Sequence, residues 1–225
     1  MTDHTILDLK DVTTNPSGHP WFDFRPNLKK LILSGAPETQ HLALLWYTVA
    51  DGNVGLHLHS KTESVYVIDG TQTDPKGVYP TGTVYFNPPG SGHAITHSSG
   101  FFILAYASPP DFKRTELIQD YTPLRLDTAD PHFVDTHPFE QKQAGVRTFS
   151  APLDSSGGMS AEFIELSAPA GEYEYRGNYL LVLRGTCSIQ GASLGKDMLV
   201  VAKTVVPQPF QLTANGSCLA LGVSF

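Results

Sequence analysis

The stretch Gly55-Leu-His-Leu-His-Ser-Lys-Thr-Glu63 decides the fold prediction for this chain of 225 residues. His57 and His59 are two positions apart, and side chains at that spacing point to the same face of a β-strand. Glu63 follows four positions after His59, so it keeps the same parity if the strand continues. The spacing therefore predicts that two imidazoles and one carboxylate converge on one face, where they could hold a metal ion.

The residues after this stretch continue the same face. Glu63 begins a run of β-branched and aromatic residues that ends at Asp69-Gly70. Such a run predicts a strand, and the Asp-Gly pair predicts a turn at its end. Val65 and Val67 share the parity of Glu63, so we expect both valines on the inward face.

A third imidazole follows thirty residues later. The segment Asn87-Pro-Pro-Gly-Ser-Gly92 predicts a turn that starts a new strand at His93. Three imidazoles and one carboxylate suit zinc, iron, manganese, nickel or copper in open or octahedral sites. The sequence thus predicts one divalent transition metal, with zinc or iron favoured, and these ligands: His57, His59, Glu63 and His93.

These two segments resemble the two signature motifs of the cupin family. The first motif, glycine, His-x-His, Glu and glycine, is matched by Gly55, His57, His59, Glu63 and Gly70. The second motif, glycine, Pro-x-Gly and His, is matched by Gly82, Pro88, Gly90 and His93. The resemblance implies an all-β chain that folds into the double-stranded β-helix, or jelly-roll barrel. The family usually has Asn four residues after the last His, where this chain has His97.

His97 shares its parity with His93, so it is a candidate for a catalytic acid or base or for a group that supports a metal ligand. The alternative is a histidine that only lines the mouth of the barrel.

The second half of the chain repeats the glycine pattern of the first half. Gly171 follows Gly55 by 116 residues, Gly185 follows Gly70 by 115, and Gly195 follows Gly82 by 113. A nearly constant offset predicts two tandem barrels, which we place at residues 1–118 and 119–225. The ligands are not repeated, because Tyr173, Tyr175 and Asn178 stand where the first half has His57, His59 and Glu63. The second barrel is therefore predicted to be degenerate and metal-free, although a pocket for an organic ligand is an alternative.

The composition narrows the classes of partner. The formal net charge is −7, the isoelectric point is about 5.6, and the sequence has no run of basic residues. These features argue against a nucleic-acid partner. No apolar run approaches eighteen residues, and the amino terminus lacks the features of a signal peptide, so we expect a cytoplasmic protein without a membrane partner. The scattered 17 Pro and 20 Gly favour short strands in an all-β fold.

Three further expectations concern particular residues. Residues 1–30 carry Trp21 and neighbouring aromatics that could plug into the first barrel or a partner. His41 opens a predicted strand and is expected at the surface. Cys187 and Cys218 could pair across a barrel or remain buried thiols.

Within the cupins, residues 25–110 resemble the ChrR-type subfamily most closely. Its anti-sigma member uses a separate amino-terminal zinc domain with His and Cys ligands, whereas the first cysteine here is Cys187. The subfamily also resembles metal-dependent dioxygenases of small diketones. Two functions remain open: an oxidoreductase of the dioxygenase type with a small-molecule substrate, or a zinc-binding sensor without catalysis. Cupins commonly pair by exchanging strands, so a homodimer is expected.

Overall fold

The computed structural model describes residues 4–113, 120–168 and 170–225. The described chain is almost entirely β-structure, as the sequence predicts. The strands are β1 (His4–Asp8), β2 (Phe22–Arg25), β3 (Leu28–Gly35), β4 (His41–Leu58), β5 (Glu63–Asp74), β6 (Gly77–Pro80), β7 (Thr83–Asn87), β8 (Gly92–Tyr106), β9 (Leu124–Asp127), β10 (Glu140–Gln143), β11 (Val146–Ser150), β12 (Ser160–Leu166), β13 (Tyr173–Gly177), β14 (Tyr179–Ile189), β15 (Ala192–Gly195), β16 (Met198–Ala202) and β17 (Gln208–Ser224). Two short helices are α1 (Leu9–Thr14) and α2 (Phe133–Thr136).

The strands form two compact units. One unit comprises residues 13–129 and 153–159, and the other comprises residues 1–12, 130–152 and 160–225. The domain boundary predicted between residues 118 and 119 lies outside the described part of the chain. The first unit contains an eight-stranded sheet in the order β2-β3-β4-β8-β5-β7-β9, with β6 paired to β5. Neighbouring strands in this sheet are antiparallel, as in a jelly roll.

The second unit repeats this strand order. Its nine-stranded sheet runs β10-β11-β12-β17-β14-β16-β1, with β13 paired to β17 and β15 paired to β14. The seven strands along each path correspond in order, β15 corresponds to β6, and β13 has no separate counterpart. The structure thus confirms the tandem arrangement. The outermost strand differs in origin, since β9 occupies this place in the first unit and the amino-terminal β1 occupies it in the second.

A β-bulge gives both units the same local geometry. In β5 the register with β8 shifts between Val67 and Asp69, and Gly70 then faces Gly100 with φ values of +89° and +92°. In β14 the register with β17 shifts between Val182 and Arg184, ahead of Gly185. The turn predicted at Asp69-Gly70 is therefore wrong, because β5 continues through the bulge to Asp74.

The interiors of the two units are filled differently. In the first unit, Val65 and Val67 point into the barrel with Tyr47, Phe102 and other apolar residues, as their parity predicts. In the second unit, the ring of Tyr175 packs against Gly177 and Gly222. A side-chain carbon added to either glycine would lie only 2.4–2.5 Å from the ring. Glycine at those two positions lets the tyrosine occupy the interior.

The amino-terminal segment divides between the two units. Strand β1 pairs with β16 from His4↔Ala202 to Asp8↔Met198, which adds an edge strand to the second unit. Trp21 lies in the first unit, with its ring centroid 5.8 Å from that of Trp46 and 6.3 Å from that of Phe101. The expected packing on the first barrel is therefore confirmed for Trp21, whereas Phe22 is exposed.

The expected surface position of His41 is wrong. Its side chain is buried, and its Nε2 lies 2.7 Å from the Nζ of buried Lys30. Burial and the neighbouring Lys30 lower the pKa of His41 to about 4, while burial lowers the pKa of Lys30 to about 8. The prediction placed His41 at the surface because histidine is polar and no partner was evident in the sequence. Its burial is possible because Lys30 supplies the hydrogen-bond partner that a buried imidazole requires.

Cys187 and Cys218 are both buried, unbridged thiols. None of the helices in the described ranges is long and apolar enough to cross a membrane.

Candidate metal centre

Three strands bring the four predicted ligands together in the first unit. His57 on β4 is the direct cross-strand partner of His93 on β8. Glu63 is the first residue of β5, and His59 lies in the connection just before it. The backbone of His59 is fixed there, because its N–H donates to the carbonyl of Ser91 and its carbonyl accepts from the N–H of Gly90. The Pro-Pro-Gly turn therefore holds the His-x-His segment in place.

The ligand atoms of these four side chains converge. One ligand atom from each residue can be chosen so that all lie within 4.8 Å of one another, and all four residues are buried. The carboxylate of Glu63 is 3.4 Å from the Nε2 of His59 and 3.5 Å from the Nε2 of His93. No other group of potential metal ligands of this kind occurs among the described residues.

His59 provides a direct test of whether the site suits a metal ion. Both of its ring nitrogens are buried, and neither has a hydrogen-bond partner. Buried polar atoms are normally paired, because an unpaired buried nitrogen loses its hydration without compensation. A metal ion bound by one of these nitrogens would satisfy that nitrogen, so the donor set fits a divalent transition metal.

The protonation of the histidines also suits metal binding. Burial lowers the pKa of His57 to about 3 and lowers that of His59, so both imidazoles are neutral near pH 7. Burial opposes the charge on His93 too, but hydrogen bonds to Asp74 and Glu63 outweigh it and raise its pKa to about 9. Burial likewise opposes the charge on Glu63, yet the neighbouring histidines hold its pKa below the usual range. A proton and a metal ion therefore compete for His93.

Two residues that the spacing of the motifs did not predict orient these ligands. The carboxylate of Asp74 accepts a 2.7 Å hydrogen bond from the Nδ1 of His93, which directs the Nε2 of that ring towards Glu63. The side-chain amide of Asn87 donates a 2.7 Å hydrogen bond to Glu63. The ring of His57 is oriented by the carbonyl of Gly55, 2.9 Å from its Nδ1. Such supporting groups fix the tautomer and direction of metal-binding histidines.

Asp74 is itself held by the tight turn between β5 and β6. Its Oδ1 accepts hydrogen bonds from the backbone N–H of Lys76 and Gly77 and from the hydroxyl of Tyr79. An Asp before a Pro-Lys-Gly turn is the sequence signal that could have identified it, since Asp often accepts from the backbone two residues ahead.

A small cavity adjoins three of the four ligands. The space open to the centres of water-sized molecules is about 30 Å³, so the cavity is small. Its wall is mainly apolar and aromatic, and it consists of Phe24, Leu28, Leu45, Tyr47, Val54, His57, Glu63, Val65, Gln72, His93, Ile95, Leu104, Tyr106 and Phe112. The ring of Phe112 is stacked on that of His57 at 5.0 Å.

His97 lies outside this cavity. Its side chain is 66% exposed, and its Nδ1 is hydrogen-bonded to the carboxylate of exposed Asp51. It is not part of the cavity wall. The proposed acid–base role of His97 stays a prediction.

The second unit has different groups at the equivalent positions. Asn178 is a buried structural amide, whose Nδ2 donates to the carbonyl of Val205 and whose Oδ1 accepts from the backbone N–H of Phe225. Tyr173 is only partly buried, and Tyr175 packs in the apolar interior. No cluster of His and acidic ligands is found among the described residues of this unit.

Replacing Asp74 with asparagine is expected to weaken metal binding by about 10- to 100-fold without abolishing it. The amide cannot supply the negative charge that favours the Nδ1–H tautomer of His93. Competition with a chromophoric chelator measures the change. Asp51→Asn is the matched control, because Asp51 bonds to the exposed His97, and its affinity should equal that of the wild type. An unchanged affinity in Asp74→Asn would show that Asp74 does not support the site.

Comparison with known proteins agrees with this geometry. The chain resembles several solved structures over almost its whole length, and one of them is described as a cupin barrel protein. Residues 9–109 match the family model described as the ChrR Cupin-like domain, and this segment contains all four predicted ligands. Comparison with curated proteins gives no match.

Three solved structures illustrate the similarity. A putative dioxygenase from Nostoc punctiforme has 11% identity and a TM-score of 0.65, with 98% of this chain and 82% of that chain covered. Salicylate 1,2-dioxygenase from Pseudoaminobacter salicylatoxidans with gentisate has 12% identity and a TM-score of 0.60, with 98% and 80% covered. A Cupin 2 conserved barrel domain protein from Leptotrichia buccalis has 8% identity and a TM-score of 0.61, with 98% and 95% covered. At these identities the similarity concerns the fold.

Proposed function

We propose that the amino-terminal barrel holds one divalent transition metal and uses it to oxidise a small organic molecule with O2, as a dioxygenase-type enzyme. The observation that carries this proposal is the position of the ligands. Three histidines and one glutamate are buried, and three of these four side chains also line a small cavity with mainly apolar walls. Structurally similar proteins that are described as dioxygenases support the same activity.

The chain's own residues would bind, orient and shield the reactants. His57, His59 and His93 would hold the metal ion, with Glu63 as a fourth or displaceable ligand. A redox-active metal supplies Lewis acidity and electron transfer when it is bound. Leu104, Ile95 and the aromatic wall residues would exclude water from the reacting molecules. Asp74 and Asn87 would keep His93 and Glu63 in their orientations during the reaction.

We propose iron as the metal that supports this activity. Zinc suits the same donor set, but it has no redox chemistry. The alternative function, a zinc-binding sensor without catalysis, would use the same four ligands. We also propose that the chain forms a homodimer, which light scattering on the purified protein would test.

Oxygen consumption distinguishes the two functions. We expect iron-loaded protein to consume O2 with at least one compound from a panel of small diketones, hydroxy ketones and related carbonyl compounds. Zinc-loaded protein should consume none, because zinc cannot transfer electrons. An oxygen electrode measures both samples at equal metal content. The sensor function would be favoured by two results together. Iron-loaded protein would consume no O2 with any compound of the panel, and the freshly purified protein would contain zinc.

A further inference from the structure

The wall of the metal cavity contains one polar group whose hydrogen bond is missing. Gln72 on β5 is only 5% exposed and lines the cavity with His57, Glu63 and His93. Its Oε1 is buried and has no hydrogen-bond partner. It is the one residue of the described wall with such an atom, because the other unpaired polar atoms belong to residues outside that wall. A buried carbonyl of this kind is destabilising unless something donates to it.

The backbone around Gln72 is rigid. Gln72 is paired with Ser98 of β8 on one side and with Tyr79 of β6 on the other. The strand therefore cannot rotate its side chain out of the cavity without breaking two ladders. Two residues further along, Asp74 supports the ligand His93. The amide is thus fixed relative to the metal ligands, as a group that orients a bound molecule must be.

The remaining wall narrows the kind of molecule that this amide could bind. No lysine or arginine belongs to the described wall. Arg25 and Lys30 lie behind it, over the rings of Phe112 and Tyr106, so the wall itself offers a carboxylate no cationic partner. The apolar side chains and the small volume favour a compact, neutral molecule. Such a molecule needs an oxygen atom for the metal ion and an O–H group for the carbonyl of Gln72.

We propose that Gln72 is a specificity-determining residue that accepts a hydrogen bond from the hydroxyl group of a small, neutral α-hydroxycarbonyl substrate. This inference rests on the proposed function, because the carbonyl oxygen of the substrate would bind the metal ion. The hydroxyl of the substrate supplies the donor that Oε1 lacks. A diketone of the same size has no such donor, so it would leave the amide unpaired.

Binding to cobalt-loaded protein tests the inference without measuring turnover. Hydroxyacetone and 2,3-butanedione are the probes, since both present two oxygen atoms and only the first has a hydroxyl group. Their dissociation constants are measured from the visible absorption of bound cobalt. Wild-type protein should bind hydroxyacetone about tenfold more tightly than 2,3-butanedione, because an unpaired buried acceptor remains in the second complex.

Two variants show whether the preference comes from Gln72. Gln72→Met keeps the length of the side chain and removes its polar atoms, so the tenfold preference should disappear. Leu104→Met is the matched control, since it places the same side chain on the same wall and should retain the preference. Cobalt content should be unchanged in both variants, because neither residue is a ligand.

The possible results separate this inference from the proposed function. A cobalt-loaded wild type that binds both probes equally would overturn the role of Gln72 and leave the metal centre intact. The role of Gln72 is equally overturned if Gln72→Met retains the wild-type preference, which would mean that another group or a bound water supplies it. Wild-type protein that takes up no cobalt would overturn the metal centre, and the inference with it.

Discussion

Replacing His59 with alanine is expected to reduce the metal content from about one ion per chain to less than about a tenth of an ion. His59 is the predicted ligand whose ring nitrogens have no hydrogen-bond partner, so its removal breaks no hydrogen bond within the protein. The loss should therefore appear in metal binding more than in the fold. Elemental analysis after loading and desalting measures the metal content, and circular dichroism checks that the barrel remains folded.

Two matched controls make the result specific. His97→Ala also removes one imidazole, but this side chain is exposed and bonded to Asp51, so the metal content should stay at the wild-type value. Tyr175→Phe changes the second barrel at the position equivalent to His59 and should also leave it unchanged. A folded His59→Ala protein with full metal content would contradict the assigned site. A fall from two ions to one in Tyr175→Phe would show that the second barrel also binds metal.

Gly70→Ala is expected to destabilise the first barrel by about 3–5 kcal/mol. Gly70 has a φ of +89°, and a side-chain carbon there would lie 2.1 Å from the carbonyl oxygen of Ser99. The alanine must therefore adopt a strained backbone conformation and also separate β5 from β8. For a domain of this size, a loss of that magnitude lowers the melting temperature by on the order of 10 °C. Differential scanning calorimetry measures the shift.

Gly55→Ala is the control for this substitution. Gly55 has no positive φ, and a side-chain carbon added there would meet no atom within 4 Å. Its melting temperature should therefore change by less than about 2 °C, as is usual for a surface substitution without special features. If Gly70→Ala melts as the wild type does, the close approach of β5 and β8 at this position does not require glycine.

The convergence of the four predicted ligands could be predicted from the sequence because most of their geometry is local. His57 and His59 share a face by the alternation of a single strand, and the glycine- and proline-rich segment before His93 marks the start of another. Family resemblance then implied that the two motifs belong to one jelly-roll barrel. The degenerate repeat was also visible in the sequence. Its glycines follow those of the first half at a nearly constant offset, while other residues stand at the positions of the predicted ligands.

The groups that support the ligands could not be predicted in the same way. Odd-numbered residues of β5, such as Val65 and Val67, point inward before the bulge, whereas Gln72 and Asp74 point inward after it. Strict alternation from Glu63 places these two residues on the outer face. One extra residue in the bulge reverses the parity, so the partner of His93 and the unpaired amide both remained hidden.

The sequence by itself therefore determined the fold class, the duplication and the residue types that converge on one face of the first barrel. Each of these depends on spacing along the sequence. Within a strand, the alternation of the backbone turns that spacing into the direction of each side chain. Only the tertiary structure decided the burial of His41 against Lys30, the contact of Asp74 with His93, and the position of His97 outside the cavity. These features depend on register between distant strands, and one bulge in β5 shifts that register by a residue.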